Sequence, residues 1–284
     1  MIISVASGKG GTGKTTIAVN LALSIKGEVQ FLDCDVEEPN AHIFLKPEIT
    51  ETKKVYIPVP EIDQNKCNYC GKCREVCVYN AIAVIKGTVD KKGSILVFSN
   101  LCHGCGSCSY FCPESAIKEV NKEIGEIEIG TAGAIQFIHG RLNIGEAMVP
   151  PVIRQIKKHI NPTRTVVIDA PPGTSCPVVE TIKRSDFCVL VTEPTPFGLN
   201  DLMLAVEVLR KLKVPFGIVI NRSDLGNEKT DEYCEKEDIP ILMRIPFKKE
   251  IAVAYSKGEP IVKTFPEYRK DFEELFNKIK GLLN

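Results

Sequence analysis

Ile2-Ile3-Ser4-Val5-Ala6-Ser7-Gly8-Lys9-Gly10-Gly11-Thr12-Gly13-Lys14-Thr15-Thr16 runs from a short apolar strand into a glycine-rich loop. Within it, Gly8-x-x-x-x-Gly13-Lys14-Thr15 has the spacing of a phosphate-binding loop. It also sits where such a loop works, after a strand and before a helix. Glycines let backbone N–H groups turn toward phosphate oxygens. The N-terminus of the next helix adds a favourable dipole. Lys14 is expected to reach the β- and γ-phosphates, and the Thr15 hydroxyl to contact Mg²⁺. A strand-to-helix turn that binds nothing is the competing reading.

Working outward, Ile17, Ala18, Leu21, Ala22 and Ile25 recur at helical spacing over Thr15 to Ile25. Val29-Gln30-Phe31-Leu32 then reads as a strand ending at Asp33. Together these form a β-α-β unit, which implies a parallel sheet with a right-handed crossover. The pattern resumes from Glu126. Strands are expected at Ile135 to Ile138, Thr165 to Asp169, Phe187 to Thr192, Phe216 to Asn221 and near Ile241. Helices are expected over Pro151 to His159, Asn200 to Leu212, Thr230 to Glu237 and Asp271 to Leu283. Val166-Val167-Ile168-Asp169 supplies the acidic strand end that a phosphate loop requires.

Between these halves lie eight of the chain's twelve cysteines. Cys67, Cys70, Cys73 and Cys77 have the spacing C-x₂-C-x₂-C-x₃-C. Cys102, Cys105, Cys108 and Cys112 repeat it 35 positions later. Asn65, Gly71, Ala81 and Ile82 recur as Asn100, Gly106, Ala116 and Ile117, so a pseudo-symmetric module is expected. Lys53 to Lys66, with Pro58 and Pro60, reads as an extended linker into it. The fold expected is α/β, a mostly parallel sheet flanked by helices, interrupted by a small α+β domain of ferredoxin type. The expected division is 1–57, 58–122 and 123–284.

The cysteine spacing is that of bacterial ferredoxins, in which the fourth cysteine of each run ligates the other cluster. Two [4Fe-4S] clusters are therefore expected. Cys67, Cys70, Cys73 and Cys112 would hold one, and Cys102, Cys105, Cys108 and Cys77 the other. The second run ends Cys112-Pro113 as the pattern wants, whereas the first ends Cys77-Val78. Zinc is the competing reading of C-x₂-C pairs. Two even triplets, each followed by a fourth cysteine, suit tetrahedral zinc poorly. His103 reads as an exposed neighbour rather than a ligand. Cys34, Cys188 and Cys234 read as small buried hydrophobes. Cys176, just after the Pro171-Pro172-Gly173 turn, reads either as packed or as a residue near a dimer interface that senses a metal centre.

Composition narrows the function classes. The chain has 284 residues, 44% hydrophobic, with 36 basic and 36 acidic side chains. A full core is expected, and zero net charge argues against a dominant nucleic-acid or membrane surface. The N-terminus leads straight into the loop, without the pattern of a signal peptide. No run approaches the ~20 apolar residues of a membrane helix. A cytoplasmic protein is expected, with cysteines as metal ligands or buried hydrophobes rather than disulfides.

The loop's second lysine, Lys9, completes a run that resembles the deviant Walker A loop of the MinD/ParA/Mrp/NifH class of P-loop ATPases. Asp33-Cys34-Asp35 resembles that class's switch I. Asp169-Ala170-Pro171-Pro172-Gly173-Thr174 resembles its Walker B and switch II, closest to the Mrp branch. Thr192-Glu193-Pro194 and Asn221-Arg222 resemble its later strand-end motifs. With the cysteines, the chain is most similar to MinD-superfamily ATPases with an inserted ferredoxin domain.

That resemblance implies an ATP-bridged homodimer in which Lys9 touches the partner's phosphates and Asp35 positions the attacking water. It implies that Asp33 and Asp169 hold Mg²⁺, mainly through water. Asn221 would read the adenine edge, with Arg222 and the Ile245-Pro246-Phe247 turn near the ring. Residues Gly8 to Thr16 would hold ATP or ADP. Three functions compete. ATP-gated electron transfer to a redox partner leads. A cluster or metallocofactor assembly factor serving an apo-metalloprotein is second. Two closed four-thiolate sites, and the lack of a C-x-x-C after Cys234, speak against it. A membrane- or chromosome-positioning ATPase is third, and the mixed polar face of the last helix speaks against that.

Overall fold

A computed structural model of the protein describes residues 1–88 and 92–284. Residues 89–91, inside the expected ferredoxin segment, lie outside the described residues. The strands are β1 (Ile2–Ala6), β2 (Val29–Asp33), β3 (Glu48–Ile62), β4 (Ile82–Ile85), β5 (Ser94–Val97), β6 (Ile117–Ala132), β7 (Ile135–Leu142), β8 (Thr165–Asp169), β9 (Phe187–Thr192), β10 (Phe216–Asn221) and β11 (Ile241–Ile245). Nine form one sheet in the order β11-β10-β9-β1-β8-β2-β7-β6-β3, and β4 pairs with β5 antiparallel. From β11 to β7 every pairing is parallel. Only Gly133 and Ala134 separate β6 from β7, a connection too short for anything but an antiparallel pair.

The central strands are parallel because they are apolar on both faces. β2 and β9 are buried along their full lengths, and β1 and β8 at all but their first residue. On one face, Ile17 and Leu21 of the helix Lys14–Ser24 pack in one core with Phe272, Leu275 and Ile279 of the helix Tyr268–Leu283. On the other, Val178 and Ile182 join Leu202, Val206 and Leu209 of the helix Pro196–Leu212. The four later helices expected from periodicity are found at Val149–Lys157, Pro196–Leu212, Lys229–Lys236 and Tyr268–Leu283.

The chain forms two compact units. One comprises 1–53, 127–141 and 153–284; the other comprises 54–126 and 142–152. The divisions fall inside β3, β6, β7 and the helix Val149–Lys157, so those elements belong partly to each. The expected linker over Lys53 to Lys66 is largely strand, since β3 runs to Ile62. Pro58 and Pro60 are tolerated because β3 is the last strand of its sheet, where one side carries no ladder. The reading of proline as extended backbone holds, while the reading of extended backbone as linker does not.

In the smaller unit the sequence repeat is a backbone repeat. Left-handed φ values recur at the same interval: 57° at Tyr69 and 64° at Gly104, 86° at Gly71 and 75° at Gly106, 52° at Asn80 and 48° at Ser115. The short helices Lys72–Glu75 and Ser107–Tyr110 correspond in the same way. Tyr69, Cys73, Ile82 and Ile95 form this unit's core.

Candidate functional site

β1, β8 and β2 are neighbours in parallel register, so their C-terminal ends lie side by side. Asp169 pairs with Val5 on one side and with Asp33 on the other. This places the loop after β1 beside two acidic strand ends, the crevice where open α/β sheets bind ligands. Gly8 is required by close approach, because a Cβ there would lie 2.1 Å from the Asp201 carbonyl oxygen. Gly11 and Gly13 have φ of 79° and 92°, which carry the chain round to the helix at Lys14. A cleft of about 1260 Å³, open solvent included, is lined by Gly10, Gly11, Gly13, Lys14, Thr15, Thr16, Asp35, Pro172, Asn221, Arg222, Pro246, Phe247 and Tyr255. The phosphate loop and the expected base-side residues therefore share one cleft.

The acidic residues divide their work. Asp33 is fully buried; its Oδ1 accepts the Asp35 N–H and its Oδ2 accepts the Ala41 N–H, both at 3.1 Å. It pins both ends of the loop that carries Asp35. Burial and the Asp169 charge push its carboxyl well above the ordinary range. Asp169 is also buried, yet neither carboxylate oxygen has a protein hydrogen-bond partner among the described residues. Burial raises its pKa to about 7, against the opposing pull of Lys14 and the Thr15 hydroxyl. An unpartnered buried carboxylate beside a hydroxyl and a lysine fits a hard divalent cation with oxygen ligands, as Mg²⁺ requires. Of the two aspartates expected at the metal, Asp169 has both oxygens available. Burial likewise lifts Asp35 to about 6, with Lys14 opposing.

Two pairings were invisible in the sequence. Asn221 Nδ2 donates to the Thr12 carbonyl at 2.9 Å, and its Oδ1 accepts the Arg222 N–H at 3.0 Å. The amide expected to read adenine is thus engaged in bracing the loop. Glu193 accepts from Arg222 at 2.7 Å and lies 3.9 Å from the Lys9 ammonium. With a side chain 11% exposed, it holds the loop's extra lysine and the base-side arginine together. No periodicity or motif signals such a pairing.

Behind this site, Lys157 Nζ donates to the carbonyls of Glu180, Thr181 and Lys183 at 2.7–2.8 Å. It caps the C-terminal end of the helix Cys176–Ile182, which follows the Asp169 turn. Cys176 is exposed at the first position of that helix, so the packed reading is corrected. A proline at the second position and the adjacent turn keep it at the surface. Cys34, Cys188 and Cys234 are buried, as expected.

The eight remaining cysteines surround two cavities in the smaller unit. One, of about 330 Å³ with open solvent included, is lined by Cys67, Cys70, Cys73 and Cys112. The other, of about 390 Å³ with open solvent included, is lined by Cys77, Cys102, Cys105 and Cys108. Each takes three cysteines from one run and the fourth from the other. Backbone N–H groups address the sulfurs in matching pairs. Tyr69 N–H donates to Cys67 and Gly104 N–H to Cys102, both at 3.4 Å. Ala81 N–H donates to Cys77 and Ala116 N–H to Cys112, both at 3.3 Å. Among the described residues no three His, Cys, Asp or Glu side chains converge as they would on a single ion. His103 is exposed and stacks on Tyr79, with ring centroids 3.5 Å apart and planes 5° apart.

Residues 3–261 match the family model of the CobQ/CobB/MinD/ParA nucleotide binding domain. An uncharacterized protein of Methanocaldococcus jannaschii is 33% identical over 285 residues, spanning 98% of this chain and 97% of its own. An iron-sulfur cluster carrier protein of Pyrococcus horikoshii is 26% identical, spanning 99% of this chain and 87% of its own. Among solved structures, the septum site-determining protein MinD complexed with Mg-ADP from the same organism shares the fold. Its TM-score is 0.59 at 19% identity, covering all of this chain and 98% of that one. No helix among the described residues is long and apolar enough to cross a membrane. A phosphate loop on β1, acidic ends on β2 and β8 and a family match over most of the length make this chain a P-loop ATPase of the CobQ/CobB/MinD/ParA nucleotide-binding family.

Proposed function

We propose that this ATPase holds two [4Fe-4S] clusters and uses ATP to gate electron transfer through them. The observation that carries the proposal is the composition of the two cavities, each walled by three cysteines of one run and the fourth of the other. Four thiols spread around a cavity suit a cubane, whereas zinc requires them drawn to one point. The paired N–H groups are placed to donate to ligand sulfur. When bound, each cluster supplies a reversible one-electron store.

In the nucleotide site, loop N–H groups and Lys14 hold the phosphates, while Thr15 and Asp169 hold Mg²⁺. Asp35 orients the attacking water and accepts its proton as the new oxygen–phosphorus bond forms and the bond to ADP breaks. A carboxylate lifted to about 6 is a better base than an ordinary aspartate and is still mostly ionised at pH 7. Hydrolysis relaxes the loop 34–40, which Asp33 ties to Ala41, the start of the short helix leading into β3. The chain then enters the cysteine-bearing unit after Lys53. Nucleotide state therefore has a covalent route to that unit. An ATP-bridged homodimer, with Lys9 released from Glu193 toward the partner's phosphates, completes the reading. The protein would work in the cytoplasm on a redox partner.

Anaerobic purification with iron and sulfide counting, then reduction followed by EPR with and without ATP, tests this. About eight irons per chain are expected from eight thiolates in two cubane sites. One or two metals per chain, or electron delivery indifferent to nucleotide, would refute it. The second reading, cluster delivery to an apo-metalloprotein, is favoured by relatives named iron-sulfur cluster carriers. Loss of iron to an apo-acceptor on ATP addition would select it.

A further inference from the structure

β3 joins the switch loop to the cysteine-bearing unit, and it does not serve the two cavities alike. The loop 34–40 ends at Ala41, whose N–H is held by Asp33. The helix Ala41–Leu45 follows, and only Lys46 and Pro47 separate it from β3, which runs unbroken from Glu48 to Ile62. Pro58 and Pro60 lie on one face of that strand and line the cavity of Cys77, Cys102, Cys105 and Cys108. Among the described residues, none of β3 lines the other cavity, whose apolar wall is Val84, Ile95 and Ile117 on β4, β5 and β6.

The contact at the second site reaches a group that addresses sulfur. Gly104 has φ of 64°, and its N–H donates to Cys102 at 3.4 Å. A Cβ on Gly104 would lie 3.0 Å from the Pro58 carbonyl oxygen and 3.1 Å from a carbon of its ring. β3 thus lies directly against the backbone that holds this donor. The equivalent residue of the first site, Tyr69, packs instead against Gly93, just before β5. Two prolines with fixed φ stiffen this end of β3, which is also laddered to β6. The other connections do not discriminate. β6 places Ile117 at the first cavity and Glu119 at the second. Ile62 packs on a core that Cys73 of one site and Cys108 of the other both reach.

We infer that nucleotide state acts through β3 on the cluster held by Cys77, Cys102, Cys105 and Cys108, and leaves the potential of the cluster held by Cys67, Cys70, Cys73 and Cys112 unchanged. This rests on the two-cluster, ATP-gated reading above and names the cluster that is gated. A rigid element carries a displacement along its length. Movement of Pro58 alters how the Gly104 N–H meets Cys102, and hydrogen bonding at ligand sulfur is one determinant of a cluster's potential. The first cluster is then a store of fixed potential, and the second is the one that hydrolysis adjusts.

The test is an anaerobic redox titration followed by EPR, with ADP and with a non-hydrolysable ATP analogue, and with iron counted throughout. Cys70→Ser and Cys105→Ser assign the reduction waves, since each alters or abolishes the wave of its own site. On exchanging ADP for the analogue, the wave assigned by Cys105→Ser should move and the wave assigned by Cys70→Ser should stay. Replacing Pro58 and Pro60 together by alanine should keep iron and ATP hydrolysis and abolish the shift. Movement of the first wave, alone or equally, or an undiminished shift in the proline variant, would overturn the inference while leaving ATP gating in place. Hydrogen exchange decides the matter should that variant lose iron. In the parent protein, amides 102–105 should respond to the analogue and amides 67–70 should not; an equal or reversed response overturns the inference. No shift of either wave at full iron content, or too few irons in the parent protein, would instead bring down the gated two-cluster reading and this inference with it.

Discussion

Replacing Asp169 with asparagine is expected to stabilise the protein in the absence of Mg²⁺ and nucleotide. Asp169 is buried and neither of its oxygens meets a protein donor at hydrogen-bond distance, so Lys14 and the nearby Thr15 hydroxyl only partly offset the water that folding strips from the carboxylate. Its pKa is raised from 3.8 to about 7. A group with a raised folded pKa favours folding while protonated. That contribution is present below pH 3.8 and is lost as pH rises through 7. At pH 8 the ionised side chain costs on the order of 4 kcal/mol, and at pH 5 about 2 kcal/mol. Asparagine is nearly isosteric and carries no charge, so it escapes this cost. Urea unfolding of both proteins at pH 5 and pH 8, without Mg²⁺ or nucleotide, should show the variant more stable at both and the gap roughly doubled at pH 8. Mg²⁺ with ADP should then stabilise the parent far more than the variant. A variant less stable than the parent at pH 8, or a gap independent of pH, would refute the argument that this carboxylate is held in readiness at the expense of stability.

Other predictions follow from the remaining contacts. Asn221→Ala removes the brace on the Thr12 carbonyl and should weaken ATP and GTP binding by the same factor, on the order of 5- to 50-fold. Selective loss of ATP binding in calorimetry would refute this and favour the base-reading role. Cys77→Ser should disturb the same EPR signal as Cys108→Ser, despite lying in the other run; disturbance of the signal that responds to Cys70→Ser would break the cross-pairing. Lys157→Met keeps the aliphatic stem and leaves the part-buried carbonyls of Glu180 and Thr181, and the exposed one of Lys183 just past the helix Cys176–Ile182, without their donor, which should cost about 1–3 kcal/mol. A thermal midpoint unchanged within error would show that cap to be idle.

The nucleotide-binding half was legible because its signals are local. Ile2 to Thr16 carries the strand, the loop and the helix start in consecutive residues, and Val166 to Asp169 announces its own acidic end. β3 was not legible, because a strand at a sheet edge with prolines at 58 and 60 has the composition of a linker; what distinguishes it is its pairing with β6, more than fifty residues away. The helix Lys249–Ser256 was missed for a related reason. Ala254 is its single buried residue, so it has no apolar stripe to read. In the smaller unit, residue types and spacing grouped the eight cysteines as the two cavities group them. They did not reveal that Asn221 spends its amide inside the protein, that Asp33 is a pin, or that Glu193 ties Lys9 to Arg222. Each of these joins residues tens to hundreds of positions apart or depends on which rotamer a side chain takes.

The exchange of fourth cysteines between the two cavities also fixes a timetable. A chain emerging from the ribosome presents Cys67, Cys70, Cys73 and Cys77 together, yet these four belong to different sites. The first cavity lacks its last wall until Cys112 has been made, and the second is completed four residues earlier, at Cys108. Neither site can close while only half the repeat exists, and both close within one helical turn of synthesis. A nascent chain cut short before Cys108 is left with neither ring of four cysteines complete.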